Sequence, residues 1–151
     1  MKRALITKQF IARHYIIWVL AIITACSEQP KKAPQPPEPV VLDRQEGLAS
    51  FYSRSFEGQE TANGDTFSNS DYSAAHPSYP LGTSVRVISS TTGDSVTVMI
   101  NDRGPSAENQ QERVIIDLSR AAAKKLGMIQ DGRVPVKVEV LAWGDDKRVD
   151  E

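Results

Sequence analysis

Five of the nine prolines in this chain lie between Pro30 and Pro39. Proline has no N–H to donate, and its ring clashes with the preceding helical turn. Neither a helix interior nor a central strand accepts that density. Residues 27–45 also lack apolar periodicity, so a semi-rigid, extended tether is predicted over 26–45. At about 3.1 Å per residue it reaches at most about 60 Å. Folded structure is thereby confined to the residues after the tether, and 151 residues in all leave room for one domain. That domain is placed at 46–144. The remainder, 145–151, is charged and has no core of its own.

Short strands dominate the predicted domain. Residues 84–88 alternate, as do 95–100 before turning fully apolar, and 113–116 are β-branched. Val134, Val136, Val138 and Val140 share one face of a strand, opposite Lys137 and Glu139. Phe51 and Tyr52 suit a pleated surface at 47–53, and 91–94 reads as a hairpin turn. One helix is clear. Ser119 is its N-cap, 120–126 are good helix formers, Lys124 and Lys125 complement its C-terminus, and Gly127 suits a left-handed stop. About 100 residues that are mostly β, with one short helix, predict a small closed barrel.

Ahead of the tether, residues 1–14 carry Lys2, Arg3, Lys8 and Arg13 and no acid. An uncharged, mostly apolar run of 15–25 comes next and stops at Cys26, the only cysteine. A basic start, a short apolar run and small residues at its end describe a secretory leader over 1–25. A membrane-crossing helix needs about 20 residues, more than this run has. Ile23-Thr24-Ala25-Cys26 resembles the lipobox of bacterial lipoproteins, in which the cysteine becomes residue one and is acylated. Several acyl chains hold a protein on a membrane firmly, where one binds only marginally. Ser27 after the cysteine, rather than Asp, resembles an outer-membrane address. The expectation is a lipid-anchored envelope protein facing the periplasm, a monomer on its tether. Removing four positive residues takes the formal charge from −1 to −5, which argues against a nucleic-acid partner. A single cysteine excludes an internal disulfide. The chain has two histidines, His14 in the leader and His76, with no metal-ligand spacing around them. No metal and no cofactor are expected.

Three segments carry features that packing does not require. They are Thr61-Ala-Asn-Gly-Asp65-Thr-Phe67, Tyr72-Ser-Ala-Ala-His76-Pro77, and Asn101-Asp102-Arg103-Gly-Pro105 with Ile116-Asp-Leu-Ser119 beyond it. Taken singly, each is also an ordinary loop feature. Asn-Gly-Asp is a common turn, and His76 before a proline reads equally as a satisfied loop histidine.

In this order and spacing, together with Gly47-Leu-Ala-Ser-Phe-Tyr52, Phe56-Glu-Gly58, Leu81-Gly82, Val85-Arg-Val87 and Leu126-Gly-Met128, they resemble the rare lipoprotein A family. The likeness spans nearly all of 46–142. It implies a mostly β fold, a six-stranded double-psi β-barrel with one or two short helices. It also implies endolytic lytic transglycosylase activity on peptidoglycan glycan strands stripped of their peptides. In that reaction an acid protonates the oxygen bridging MurNAc to GlcNAc. The muramyl 6-hydroxyl then attacks C1 to leave a 1,6-anhydro end, with no water consumed. One carboxyl can serve first as acid and then as base. The resemblance assigns that role to Asp102, with Asp65 as a second acid where the family usually has Glu, and His76 orienting the site or binding sugar hydroxyls. Tyr52, Thr61, Asn101 and Arg103 are the expected substrate-binding residues, Tyr52 reading equally as core. Two alternatives stand beside the enzyme: a glycan-binding, wall-loosening module without turnover, and a structural lipoprotein tethering the outer membrane to the wall.

Overall fold

The computed structural model describes residues 38–145. Cys26, the leader 1–25, most of the tether and the tail beyond Asp145 lie outside the described residues. The alternating stretches become strands for the reason their pattern gives: one set of side chains leaves water and the other does not. In β3 (Ser84–Ser89) Val85, Val87 and Ser89 are buried. In β4 (Ser95–Asp102) the buried set is Val96, Val98 and Ile100, with Ser95, Thr97 and Met99 outside. Val114, Ile116 and Leu118 of β5 (Val114–Leu118) and Val134, Val136, Val138 and Val140 of β6 (Val134–Ala142) point the same way. With β1 (Asp43–Phe51) and β2 (Ser73–Ala75), they close a barrel in the order β1-β5-β2-β4-β3-β6. The pairs β1–β5 and β2–β4 are parallel and the other four are antiparallel. The apolar interior runs from Ala49 and Ala74 through the valines to Met128.

The six-stranded barrel expected from the resemblance is the one observed. Three local differences appear. β1 begins at Asp43, three residues before the expected boundary, because its first residues pair with Val138 to Val140 of β6. β2 has no β-branched residue. Its alanines form a strand because both of its edges are paired, one with β4 and the other with β5. A helix α1 (Ala107–Gln111) sits in the loop after β4. It buries no residue, so it leaves no apolar period in the sequence, and its N-cap Ser106 accepts the Asn109 N–H.

Helix α2 (Arg120–Lys125) matches its prediction. The Ser119 hydroxyl accepts the Ala122 N–H at 3.3 Å, Ala122 and Ala123 enter the core, and Gly127 stops the helix with φ +70°.

Candidate active site

One irregularity of the barrel builds the site. Along the β2–β4 pair, Ala74 is partnered by Ile100 and Ala75 by Asp102, so Asn101 is skipped as a bulge. A one-residue shift in a strand reverses which side chain faces which side. The bulge therefore brings Asp102, not Asn101, into line with Ala75. On its other edge Ala75 is partnered by Asp117 of β5, and Asp117 in turn by Ser50 of β1. Four residues thus form a row across four strands: Ser50, Asp117, Ala75, Asp102. The two acids are separated by one strand bearing a methyl group, about 10 Å between their Cα atoms at ordinary strand spacing.

This row opens on a groove of about 880 Å³, lined by Ser50, Tyr52, Phe56, Asp102, Arg103, Asp117 and residues of the loop and helix from Gly104 to Gln110. Gly104 covers the row. A Cβ there would stand 3.2 Å from the Ala75 Cβ, a tight approach, and 3.6 Å from Asp117 Oδ2, an ordinary contact.

The surroundings of the two acids differ. Asp102 Oδ2 accepts the Tyr52 hydroxyl at 2.6 Å. Its Oδ1 accepts the Ala62 N–H at 2.9 Å and the Arg103 N–H at 2.8 Å. Asp117 accepts the Ser50 hydroxyl. Burial first, and the charge of Asp102 second, push the Asp117 carboxyl up, against the Ser50 hydrogen bond that holds it down. Burial, the bond to Asp102 and the charges of Asp102 and Asp117 push the Tyr52 phenol up, so it stays a donor. The Tyr52 ring packs on Phe67 at 4.5 Å and edge-on to Phe56 at 5.3 Å. Both readings of Tyr52 therefore have a part in its position: it is anchored in aromatic packing and also lines the groove.

Of the expected site residues, the groove gathers Asp102, Arg103 and Tyr52. Asn101 supplies its carbonyl to the Asn63 N–H at 3.2 Å. Thr61 is buried, with its hydroxyl within hydrogen-bond distance of Asn63 Oδ1 and the Asp65 carbonyl. Its contribution is to shape the turn that aims the Ala62 N–H at Asp102. Asp65 is exposed, and its carboxylate accepts the Asn63 amide at 2.7 Å rather than lining the groove.

His76 departs furthest from the expectation of sugar contact, because it is 0% exposed. Its Nδ1 accepts the N–H groups of Ser78 and Tyr79, its ring stacks on Tyr79 at 3.8 Å, and its Nε2 has no partner. Burial first, then the Arg103 charge, lower its pKa to about 4, so the ring is neutral near pH 7. It orients rather than touches. The main-chain N–H of His76 donates to the Asp102 carbonyl at 3.2 Å, and the Tyr79 on which its ring stacks holds the Arg103 guanidinium through its carbonyl at 2.7 Å.

Asp117 is not among the expected site residues, although its motif is one of the three segments singled out by their chemistry. The signal is a lone acid inside the otherwise apolar strand 114–118. A charge on a half-buried strand needs a reason, and here the reason is the groove.

Three comparisons bear on this geometry. A model of the family described as "Lytic transglycolase" matches residues 44–138. The chain is 40% identical over 99 residues to the endolytic peptidoglycan transglycosylase RlpA of Campylobacter jejuni, covering 66% of this chain and 34% of that protein. It is 49% identical over 98 residues to the probable endolytic peptidoglycan transglycosylase RlpA of Nostoc, covering 64% of this chain and 25% of that protein. The match thus spans a quarter to a third of the length of these relatives. Among solved structures, a Streptomyces papain inhibitor superposes with a TM-score of 0.53 at 25% identity, over 67% of this chain and 96% of that one.

Proposed function

The chain belongs to the lytic transglycolase family, and from that premise we propose that its barrel cleaves MurNAc–GlcNAc bonds within peptidoglycan glycan strands, leaving 1,6-anhydro-MurNAc ends. The observation that carries this reading is the row Asp117–Ala75–Asp102 on one groove, with the environment of one acid set against that of the other. Two carboxyls whose surroundings differ in this way divide acid and charge-bearing roles.

The acid role expected of Asp102 falls to Asp117 in this proposal. Asp117, whose carboxyl is pushed up by burial and by its neighbour's charge, gives its proton to the bridging oxygen as the C1–O bond breaks. Positioned acids of this kind contribute about 10²–10⁴-fold. Asp102, held by Tyr52 and two main-chain N–H groups, sets its negative charge against the oxocarbenium character growing at C1. The muramyl 6-hydroxyl then bonds to C1 and returns its proton to the Asp117 carboxylate. No water enters, so no further acid is needed, which agrees with Asp65 lying off the groove.

Lipidation of Cys26, an outer-membrane anchor facing the periplasm, and action as a monomer belong to the same proposal; the sequence motif at 23–26 supports the anchor.

The test is to incubate the full chain with peptide-free glycan strands and weigh the products. Fragments lighter than hydrolysis products by one water, missing with Asp117→Asn, support the enzyme. Strands that bind and stay whole favour the wall-binding alternative.

A further inference from the structure

A second hollow, of about 370 Å³, lies where the chain leaving β6 passes the turn before β3, lined by Asn63, Leu81, Gly82, Trp143, Gly144 and Asp145. Trp143 is 46% exposed, yet it is fixed in place. Tyr79 meets its ring edge-on at 5.4 Å and 80°. The adjoining Gly144 donates its N–H to Thr83 Oγ1 at 3.0 Å. Gly144 runs so close to the main chain of Leu81–Thr83 that any Cβ there would collide with it. The backbone beside the indole thus accepts only glycine, and the ring is held half in water.

The hollow and the main groove share supports. Asn63 lines the hollow, while Ala62 next to it donates to Asp102. Tyr79 touches Trp143 with its ring and holds Arg103, a groove residue, with its carbonyl. A flat indole face beside an amide side chain and main-chain polar groups matches the C–H face of a pyranose ring and its rim of hydroxyls. The supports it shares with the groove, the turn at 62–63 and Tyr79, select the occupant.

We propose that this hollow is an outlying sugar subsite, in which Trp143 stacks on a ring of the same glycan strand beyond those held in the main groove. The proposal rests on the glycan reading above. Strands long enough to reach both places gain from Trp143, and short ones do not.

In the full chain carrying Trp18→Phe, Trp143 is the one remaining indole. Long peptide-free glycan strands should change its fluorescence, and a tetrasaccharide should not. In turnover, Trp143→Ala should raise KM for long strands about tenfold, leaving kcat and the tetrasaccharide KM unchanged. Trp143→Phe, which keeps a flat ring, should fall between. Equal effects on both lengths, or no fluorescence response to long strands, overturn the subsite. A response in a chain that yields no anhydro ends keeps the subsite and removes the catalytic reading. Anhydro ends without length dependence do the reverse.

Discussion

Asp102 and Asp117 carry the same side chain in different surroundings, and the difference is testable by titration. Asp117 is pushed up by burial and by the charge of Asp102. An acid must be protonated to act, so turnover should fall as pH rises through the Asp117 value. Asp102→Asn removes one of the two causes of the rise. The basic limb of its residual activity should therefore move to lower pH; a limb that stays in place assigns the proton elsewhere. Asp117→Asn should stop anhydro-end formation while raising thermal stability near pH 7, because the folded state no longer buries an acid that would rather be neutral. That gain should vanish below pH about 3.8, where the unfolded acid is protonated too. His76 has the opposite character. Its folded pKa is lowered to about 4 from 6.5, so between those values the unfolded chain binds more protons and stability should fall as pH falls. In His76→Gln that slope, read from thermal midpoints at pH about 6.5 and about 4.5, should flatten.

At the scale of elements, a buried acid ties three strands together. Glu139 of β6 is 4% exposed and bonds Arg44 of β1 at 2.8 Å and Arg86 of β3 at 2.6 Å, residues paired with it in register on either side. Burial pushes its carboxyl up, but the hydrogen bonds and charges of Arg86 and Arg44 outweigh this and hold it below the usual value. Its stabilisation is present above pH about 4.5 and is lost as pH falls below that, a window that opens as that of His76 closes. Glu139→Ala should cost about 2 kcal/mol in chemical denaturation, less than the ~3–5 of a fully buried pair because Arg44 is half in water. The alternating pattern makes β3, β4, β5 and β6 legible, since each turns alternate residues into the apolar interior. The bulge at Asn101 is not legible, because skipping a residue is decided by which neighbouring strand it must pair with. β2 escapes the pattern for a related reason: an alanine pair becomes a strand only between two others.

For the whole molecule, the proposed anchor makes a prediction that the barrel does not. Cys26→Ser should move the protein from the membrane fraction to the soluble envelope fraction while the isolated protein keeps its turnover on peptide-free strands. Membrane retention of that variant removes the lipid anchor from the proposal. By itself the sequence determined the strand-rich domain, the capped helix and the order of the motif blocks. Each of these comes from local chemistry: period-two burial, and the Ser and Gly at a helix's two ends. It also carried the family likeness and marked Asp102, Tyr52 and Arg103, which do line the groove. Tertiary structure alone decided which acid faces which. Asp117 joins Asp102 only through the register of β5, β2 and β4, while Asp65 and His76, close to the site in motif order, point into a turn and into the interior. Closing a sheet into a barrel brings residues from distant strands into one row, and no spacing along the chain encodes which strands become neighbours or where a bulge resets the alternation.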